Sequence, residues 1–410
     1  MAANHPRPNY LNKLISYKDK DVIKIVTGIR RCGKSTLLDL FEEYLSDTGI
    51  PKSQIIHMNL ESLKYRSLTN YLSFYEYISE RIRSEEKHYL IFDELQMVTG
   101  WEKAIESFRL DFNVDIYITG SNSYLFSNEF STLLSGRYVE IRMLPLSFQE
   151  FLTFYEFSPT ASIEEKFQKY VKYGGMPVLS QFESHPELIH ETLEGIYNTV
   201  IIRDILERSH VSDPLLLNKI VHFLADNIGN VTSPRSIGNI LSNEKELTAT
   251  KNNVAGKTVD RYIDMLQHAY MFYSVGRYDI KGKQFLKTLE KNYIVDIGFR
   301  NMLLGYRDVD RGHILENVVF LELLRRDYRI SIGKIGDIEV DFIAEKPNEK
   351  LYIQVTETMA GEDTRVRELK PLKAISDNYP KFVLSMDRSF VESYEGIQLI
   401  YLPDFLLGQM

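Results

Sequence analysis

Short apolar segments alternate with helical sequence over the first third of the chain. Between Asp21 and Leu144, helix-forming stretches separate five such segments: "VIKIVTG", "QIIHMNL", "HYLIFDE", "VDIYITG" and "RYVEIRML". Strands that alternate with helices in this way are typical of a parallel sheet with helices on both faces. The pattern therefore predicts an α/β fold for this part of the chain.

The pattern becomes helical after the fifth apolar segment. Helical sequence extends from Leu146 to about Ser209, beginning with "SFQEFLTFY" and ending with "GIYNTVIIRDILERS". Gly174-Gly175 and Pro177 interrupt it in the middle, because both residue types disfavour a helix interior. We therefore expect helices on either side of a break.

A small helical unit closed by a strand pair is predicted between residues 213 and 280. In "SPRSIGNIL", Ser233 is a favourable N-cap and Pro234 stands at the first helical position. After the polar insert "NEKELTATKNNVAGK", the segment "TVDRYIDMLQHAYMFYSVGRYD" predicts a second helix. Its apolar residues share one helical face: Val259, Tyr262, Ile263, Leu266 and Tyr270.

The last segment starts near Arg311 with the predicted helix "HILENVVFLELLRR". It continues with "EVDFIAEKPNEKLYIQVTE", in which two alternating strands flank a polar turn. The sequence contains no repeat, coiled coil or low-complexity tract that would indicate a fibrous or solenoid protein. A further α/β unit is therefore expected at this end of the chain.

Composition and charge narrow the class of protein. The chain is 44% hydrophobic and 26% charged, which is the composition of a globular protein. Its 410 residues are too many for a single hydrophobic core, so we expect two to four domains. The net charge of −8 provides no overall attraction to nucleic acid or an anionic membrane, so a DNA contact must come from a local patch. Cys32 is the single cysteine, and no apolar run approaches the roughly 20 residues of a membrane span. We expect a soluble cytoplasmic protein without membrane contact.

A phosphate-binding loop is predicted between the first strand and the following helix. "GIRRCGKS" matches G-x-x-x-x-G-K-[ST] between "IKIVT" and "KSTLLDLFEEYL". Its backbone N–H groups would face the β-phosphate of ATP, Lys34 would bridge the β- and γ-phosphates, and Ser35 would bind Mg²⁺. The alternative is a chance match in a glycine-containing turn. The predicted nucleotide-binding residues are Gly28, Ile29, Arg30, Arg31, Cys32, Gly33, Lys34, Ser35 and Thr36.

Two acidic residues end the strand "HYLIFDE". Asp93 at the strand tip would hold the metal together with Ser35, and Glu94 would act as general base on the attacking water. Alternatively, both acids merely cap a helix that starts at Leu95. Next to an intact phosphate loop, the pair favours a P-loop ATPase with a glutamate-activated water.

A polar residue ends the next predicted strand as well. In "VDIYITGSN", Asn122 is placed where its side chain would reach the γ-phosphate between the loop and the acidic pair. The alternative is a local turn, because Gly120-Ser121-Asn122 is favourable turn sequence. We take Asn122 as a candidate catalytic residue.

These segments resemble one family: the prokaryotic AAA-type ATPases with a C-terminal domain of unknown function. The resemblance extends over nearly the whole chain and rests on "TGIRRCGKSTLL", "LIFDELQMVTGWEKAI", "ITGSNSYLFS", "LSGRYVEIRMLPLSFQEF", "YGGMPV", "YIVDIGFRN", "HILENVVFLELLRR" and "DIEVDFIAE". It implies binding and hydrolysis of ATP with Mg²⁺. It also implies four domains: an AAA-type core over 1–145, a helical lid over 146–210, a winged helix over 211–305 and a restriction-endonuclease-like domain over 306–410.

The resemblance gives Arg137 a role between subunits. In AAA-type ATPases, an arginine at the end of the helix before the fifth strand is the finger that completes a neighbour's site, and Arg137 follows "NSYLFSNEFSTLLSG" at that place. Such a residue stabilises transition-state charge in trans and implies a homo-oligomer. The alternative is an ordinary surface arginine at a strand entry.

The implied winged helix carries a local excess of positive charge. Seven Lys or Arg and three Asp between residues 251 and 287 give a balance of +4, in contrast to the negative chain. "SPRSIGNIL" would be the first helix of the pair and the segment from Lys257 the recognition helix, with "RYDIKGK" as a basic wing. The alternative is a protein-contact module. Candidate DNA contacts are Lys257, Arg261, Arg277, Lys281 and Lys283.

The implied endonuclease-like domain lacks part of its chemistry. A metal-dependent nuclease of this type needs a strand Asp, a Glu and a Lys two residues apart on the next strand, and often a helical Glu. Asp341 and Glu316 match, but Gln354 and Thr356 occupy the other two places. Gln is a weaker Mg²⁺ ligand than a carboxylate, and Thr offers no ammonium. We expect a degenerate site in a domain used for contact with DNA or protein.

Three functions follow from these features. The leading hypothesis is an ATP-hydrolysing switch or remodeller associated with DNA. The second is a nucleotide-dependent protein-interaction module with little turnover, and the third is an ATP-gated nuclease.

Overall fold

The structure is a computed structural model that describes residues 5–83, 85–123, 136–182, 185–209, 211–243, 254–307, 310–388 and 393–409. Most of the segment predicted to lead into Arg137, residues 124–135, lies outside these ranges, as does Lys251. The chain forms two compact units, which are described separately. The first comprises Met1–Met143 with His268–Tyr270, and the second comprises Leu144–Gln267 with Met271–Met410.

A five-stranded parallel sheet forms the centre of the first unit. Its order is β2-β3-β4-β1-β5, so the first strand lies between the fourth and fifth. All five strands predicted from the apolar segments are confirmed. Their bounds are β1 Ile23–Thr27, β2 Ile55–Asn59, β3 His88–Asp93, β4 Val114–Gly120 and β5 Tyr138–Arg142.

Helices pack on both faces of this sheet, as predicted. On one face the rings of Phe74 and Phe108 lie 4.9 Å and 6.3 Å from Phe92 of β3. On the other face Phe41 lies 4.4 Å from Tyr117 of β4. The helices are α1 Pro8–Ser16, α2 Lys34–Asp47, α3 Tyr71–Ser79 and α4 Trp101–Asp111, with short 3₁₀ turns at Lys52–Gln54, Leu63–Tyr65 and Leu95–Met97.

The parallel register brings the carboxyl ends of the central strands to one edge. Thr27 at the end of β1 is paired with Gly120 at the end of β4, and β3 ends alongside at Asp93. Loops that follow parallel strands therefore meet at this edge, where α/β proteins bind ligands.

The second unit begins with helices whose starts are set by side-chain caps. Ser147 and Glu150 form a capping box, and Ser162 and Glu165 form another. The first helices are α5 Phe148–Phe154, α6 Ile163–Tyr173 and α7 Pro186–Thr199, with a 3₁₀ segment at Pro177–Phe182 and a π-helical continuation of α7 at Val200–Leu206. The remaining helices are α8 Pro214–Asp226, α9 Pro234–Asn243, α10 Gly256–His268, α11 Ile297–Leu304, α12 Arg311–Arg325, α13 Glu362–Lys373 and α14 Leu402–Leu406.

The predicted break at Gly174-Gly175 has a long-range cause. Gly174 has a φ of +80°, and a Cβ there would lie 1.8 Å from Oδ1 of Asp296. The Asp296 carboxylate accepts hydrogen bonds from the N–H groups of Gly175 and Gly298, both at 2.7 Å. Burial raises the pKa of Asp296 to about 7, against the opposing effect of these donors and Arg325. The two glycines therefore end α6 against the N-terminus of α11.

One mixed sheet extends through the rest of the second unit. Its order is β13-β14-β12-β11-β10-β9-β7-β8-β6. The hairpin of β7 and β8 joins the later strands through a parallel pairing of β7 with β9, so a single sheet crosses the predicted boundary at 305. The bounds are β6 Val231–Thr232, β7 Phe272–Asp279, β8 Gln284–Ile294, β9 Arg329–Ile335, β10 Ile338–Lys346, β11 Glu349–Val355, β12 Lys381–Ser385, β13 Ser393–Tyr394 and β14 Ile397–Tyr401.

Local predictions in this unit hold with one exception. The Ser233 hydroxyl accepts a hydrogen bond from the Ser236 N–H at 3.1 Å, and α9 begins at Pro234 as expected. Tyr270 does not share the apolar face of α10, because the helix ends at His268 and Tyr270 has a φ of +56°. The residue belongs instead to the first unit. Across the described part of the chain, no helix combines the length and apolar character needed to cross a bilayer.

Candidate nucleotide site and the C-terminal acidic cluster

The loop between β1 and α2 has a backbone that requires glycine. Gly28 has a φ of +143°, and a Cβ there would lie 2.1 Å from the carbonyl oxygen of Met143. Arg31 and Gly33 also have positive φ values, of 63° and 104°. Gly33 caps α2 without a side chain, so the N–H groups of the first helical turn are left to an external acceptor.

Lys34 is held over this loop. Its side chain is almost fully buried, and its ammonium donates hydrogen bonds to the carbonyl oxygens of Gly28 at 2.9 Å and Ile29 at 3.1 Å. The positive charge and the free N–H groups therefore lie on the same loop.

The other predicted nucleotide-binding residues divide into two sets. Ile29 and Cys32 are fully buried, and the Cys32 carbonyl accepts a hydrogen bond from Arg7 at 3.1 Å. Burial raises the pKa of the Cys32 thiol. Their side chains thus support the loop from inside. The second set reaches the surface and comprises Arg30, Arg31, Ser35 and Thr36. Within it, the Arg30 guanidinium pairs with the Glu61 carboxylate at 3.2 Å.

Asp93 lies at the same sheet edge and is almost fully buried. The Asn59 amide at the end of β2 donates a hydrogen bond to its Oδ2 at 3.0 Å, and the Thr119 hydroxyl donates to its Oδ1. Both partners come from neighbouring strands, so the sheet itself fixes this carboxylate.

Glu94 turns away from the strand in a left-handed conformation with a φ of +55°. Its N–H donates to the Thr119 hydroxyl at 3.0 Å, and its carboxylate accepts hydrogen bonds from Ser121 at 3.3 Å and from the Gln96 amide. The Glu94 side chain makes no cap hydrogen bond to the short turn at Leu95–Met97. The alternative interpretation of the acidic pair as helix caps is therefore not supported.

Asn122 is also buried at this edge, two residues after Gly120. The adjoining Ser123 hydroxyl lies 2.5 Å from Nδ1 of His268. Nearby, Tyr270 donates to Glu140 at 3.3 Å, and the same carboxylate accepts a hydrogen bond from Thr27 at 2.6 Å. Segment 268–270 thus contacts Ser123, just after β4, and the Glu140 carboxylate of β5 that Thr27 also contacts.

Arg137 lies at the opposite end of the sheet. Its carbonyl accepts a hydrogen bond from the N–H of Ile23, the first residue of β1, at 2.9 Å. The five residues of β1, each rising about 3.3 Å along the strand, separate that position from the phosphate loop. The Arg137 side chain is half exposed and pairs with Glu106 at 3.2 Å. It therefore does not serve the loop of its own chain.

In the second unit, two of the predicted nuclease-like residues, Glu316 and Asp341, lie together with Glu339 around a lysine that the sequence interpretation missed. The Lys291 ammonium on β8 lies 2.9 Å from Glu316 Oε1, 2.7 Å from Glu339 Oε1 and 3.8 Å from Asp341 Oδ1. Tyr293 donates a further hydrogen bond to Glu316 at 2.6 Å. Burial lowers the pKa of Lys291, but the three carboxylates outweigh burial and raise it above its ordinary value. The lysine is therefore a charged ammonium.

The remaining two predicted residues differ in their relation to this cluster. The oxygen of the Gln354 amide faces the Asp341 N–H at 3.4 Å, and its nitrogen donates to Glu368 at 3.1 Å. Gln354 thus borders the cluster beside Asp341. Thr356 instead donates to the carbonyl of Thr358 at 3.2 Å, which is a local turn contact.

The candidate DNA contacts in this unit lie on two elements. Lys257 and Arg261 are exposed one turn apart on α10, whereas Lys281 and Lys283 are exposed in the turn between β7 and β8. Arg277 lies within β7 and is only partly exposed.

Comparison with known proteins places the chain in a family. A family model described as an AAA domain matches residues 20–152, and a model described as a domain of unknown function (DUF8612) matches residues 164–310. A protein of Haemophilus influenzae is 41% identical over 404 residues, which cover 98% of each chain. The chain belongs to this family of AAA-type P-loop ATPases with a C-terminal domain of unknown function.

More distant matches include a second relative and a solved structure. A protein of Methanocaldococcus jannaschii is 29% identical over 376 residues, covering 87% of this chain and 79% of that one. Both relatives are described as uncharacterized. Among solved structures, a Walker-type ATPase of Pyrococcus abyssi matches 73% of this chain and 95% of its own with a TM-score of 0.49 and 15% identity.

The side chains of the family's nucleotide site suit a magnesium nucleotide. The phosphate loop offers N–H donors and an ammonium, which match a polyanion, whereas Ser35 and Asp93 offer the oxygen ligands that Mg²⁺ prefers. Within the described ranges, no three His, Cys, Asp or Glu side chains are arranged to hold a metal ion.

Sequence interpretation missed the groups that position the acids. Thr119 lies two residues before Ser121 and Asn59 ends β2, so each is a polar residue close to a strand terminus. A polar residue close to a strand end was the feature of the sequence that could have pointed to Thr119 and Asn59.

Proposed function

We propose that the protein is an ATPase in which hydrolysis of Mg-ATP acts as a switch or remodelling step, with the second unit engaging DNA. The observation that supports this most directly is the Thr119 hydroxyl, which ties Asp93 and Glu94 together at the edge that carries the phosphate loop. A buried, jointly positioned acid pair is more than phosphate binding requires.

Each residue of the site has a role in this proposal. The loop N–H groups and Lys34 bind the phosphates, and Ser35 and Asp93 hold Mg²⁺, which supplies positive charge against the developing negative charge. Glu94 accepts a proton from the attacking water, and Asn122 orients the γ-phosphate. The protein groups are held by the sheet edge before substrate arrives, so little reorganisation is needed.

We propose that Arg137 acts in trans, so that hydrolysis requires a homo-oligomer. Its support is geometric, since Arg137 is exposed at the end of the sheet remote from its own phosphate loop. A guanidinium in that place stabilises transition-state charge only in a neighbouring subunit.

The test of the proposal is ATP turnover by three proteins: wild type, Lys34→Ala and Glu94→Gln. We expect turnover to be lost in Lys34→Ala together with nucleotide affinity. Glu94→Gln should retain affinity and lose about 10² to 10⁴ in rate, the usual contribution of a general base. If all three hydrolyse ATP equally slowly, the hydrolytic role of Glu94 is wrong.

One observation favours the second candidate, a nucleotide-dependent interaction module with little turnover. The Glu94 carboxylate is engaged by Gln96 and Ser121 rather than turned toward solvent. If this is a resting state of an ATPase, Gln96→Ala should raise basal turnover several-fold. In an interaction module, Gln96→Ala and Glu94→Gln should both leave the slow rate unchanged.

The DNA-associated part of the proposal rests on the second unit. Its elements α8, β6, α9, α10, β7 and β8 follow the order of a winged helix, and the hairpin turn of β7 and β8 carries Lys281 and Lys283. We propose that α10 and this hairpin contact phosphates of duplex DNA, with the winged helix and the following endonuclease-like domain as the domains involved.

An electrophoretic shift on duplex DNA, with and without ATP, tests this contact. Replacing Lys281 and Lys283 together by Ala should weaken binding and flatten the salt dependence by nearly two phosphate contacts. The matched control replaces Lys52 and Lys64, two exposed lysines of the first unit, and should leave binding unchanged. Equal losses in the two double variants would contradict a specific DNA-binding surface.

A further inference from the structure

The acidic cluster of the second unit encloses a cation that belongs to the protein. Glu316 comes from α12, whereas Glu339 and Asp341 come from alternate positions of β10 and so share one face of the strand. Their carboxylates approach a single point, and the ammonium of Lys291 from β8 occupies it. The lysine is only 3% exposed, so its ammonium is shielded from solvent at this point.

This arrangement resembles a metal site in its ligands but not in its cation. To bind Mg²⁺, these carboxylates would need to leave space for an ion about 2.0–2.1 Å from their oxygens. Here the Glu316 and Glu339 oxygens are hydrogen-bonded to Nζ at 2.9 Å and 2.7 Å. A divalent ion would compete for the same oxygens and would be repelled by the ammonium beside it.

We propose that Lys291 is the resident cation of this carboxylate set and excludes divalent metal ions from it. The second unit then keeps the acids of a metal-dependent nuclease without a metal centre. Two neighbours agree with this assignment: Gln354 borders the set with a neutral amide, and Thr356 turns away into a local contact.

The proposal makes a gain-of-binding prediction. Without the ammonium, the mostly buried carboxylates of Glu316 and Asp341 and the partly exposed carboxylate of Glu339 would lose the cation between them, which is unfavourable unless a proton or another cation enters. Lys291→Ala also removes the side-chain volume at that point. The variant should therefore acquire one Mn²⁺ site per chain that the wild type lacks.

The experiment is a Mn²⁺ titration of the full nucleotide-free chain, with free Mn²⁺ followed by electron paramagnetic resonance. Lys291→Ala should bind one equivalent more than wild type, and its melting temperature should rise with added Mn²⁺. Lys291→Ala combined with Asp341→Asn should lose the additional equivalent. Lys291→Arg retains a cation and should bind no more Mn²⁺ than wild type.

The first unit offers a matched control. Lys24 is fully buried and pairs with Asp115, a single carboxylate rather than a set of three. Lys24→Ala should therefore gain no Mn²⁺ equivalent, even though it also leaves a buried acid unpaired. An equal gain in this variant would contradict the role assigned to the acidic set.

Two results would overturn the proposal. If folded Lys291→Ala gains no Mn²⁺, the carboxylates do not form a cation site. If wild type binds an equivalent that Asp341→Asn removes, the site holds metal beside the lysine. Should Lys291→Ala fail to fold, the second comparison still decides, because the proposal requires equal Mn²⁺ binding by wild type and Asp341→Asn.

Discussion

The hydroxyl of Thr119 donates a hydrogen bond to the carboxylate of Asp93 on the neighbouring strand. The same oxygen accepts the N–H of Glu94 at 3.0 Å, at the point where the chain leaves β3 with a positive φ. One side chain on β4 therefore fixes both acidic residues that the proposed hydrolysis requires.

Thr119→Val should lower the rate of ATP hydrolysis while leaving nucleotide affinity nearly unchanged. Valine keeps the shape of threonine but leaves the Asp93 carboxylate without this donor and the Glu94 N–H without an acceptor. A buried unsatisfied group costs about 1–3 kcal/mol, so we expect turnover to fall about tenfold or more. Nucleotide affinity should change little, because Lys34 and the loop are untouched. Steady-state turnover and binding of a fluorescent ATP analogue measure the two effects.

Thr119→Ser is the matched control for this variant. Serine retains the hydroxyl and loses only a methyl group, so it should restore most of the turnover. Wild-type turnover by Thr119→Val would show that the shared hydroxyl has no part in positioning the acids.

Arg137→Ala should lower turnover without lowering ATP affinity. An arginine that stabilises transition-state charge in trans contributes a factor of about 10³ to 10⁵. Its partner Glu106 also pairs with Arg109, at 3.3 Å, so Arg109→Ala disturbs the same acidic residue without removing the proposed finger. Turnover and nucleotide binding should be compared in both variants, and equal losses would contradict a specific role of Arg137.

Subunit mixing tests the trans geometry directly. Arg137→Ala subunits retain a complete nucleotide site, and Lys34→Ala subunits retain the arginine. Neither protein alone should hydrolyse ATP, but a mixture should regain part of the activity if the two form mixed oligomers. A mixture that stays inactive although the subunits exchange would show that Arg137 has no catalytic role in trans.

Sequence could predict the parts of this protein that are encoded locally. The phosphate loop is contiguous in sequence between a strand and a helix, and Asp93 and Glu94 end an apolar strand, so spacing alone indicated all of them. The partners that hold the acids come from other strands, since Thr119 is 26 residues from Asp93. No spacing rule links such positions before the strand order is known.

The same limit explains the missed lysine. In the nuclease-like pattern a lysine is expected at Thr356, directly after β11, whereas Lys291 lies 25 residues before Glu316, on β8. Only the sheet pairing places β8 in the sheet that contains β10. Sequence indicated which acids would meet but not which cation they would surround.

Gly28→Ala should abolish nucleotide binding through a steric clash. A Cβ at Gly28 would lie 2.1 Å from the carbonyl oxygen of Met143, so the loop must move away from the segment that follows β5. Gly49→Ala is the control, because Gly49 also has a positive φ, of 89°, but its Cβ would meet no atom within 4 Å. Both substitutions carry backbone strain of about 1–3 kcal/mol, whereas only the first has the clash. Fluorescent-nucleotide titration should show at least tenfold weaker binding for Gly28→Ala alone.

Asp296 should give the second unit a pH-dependent stability. Burial raises its pKa to about 7 from an ordinary value of 3.8. Between these values the folded state holds a proton that the unfolded state has released, so its contribution to stability falls as pH rises from about 4 to about 7. A shift of this size corresponds to about 4 kcal/mol. Asp296→Asn cannot titrate, so the difference in unfolding free energy between wild type and variant should shrink over this range. A difference that stays constant from pH 4 to pH 8 would show that folded Asp296 is ionised throughout this range, as its two N–H donors favour.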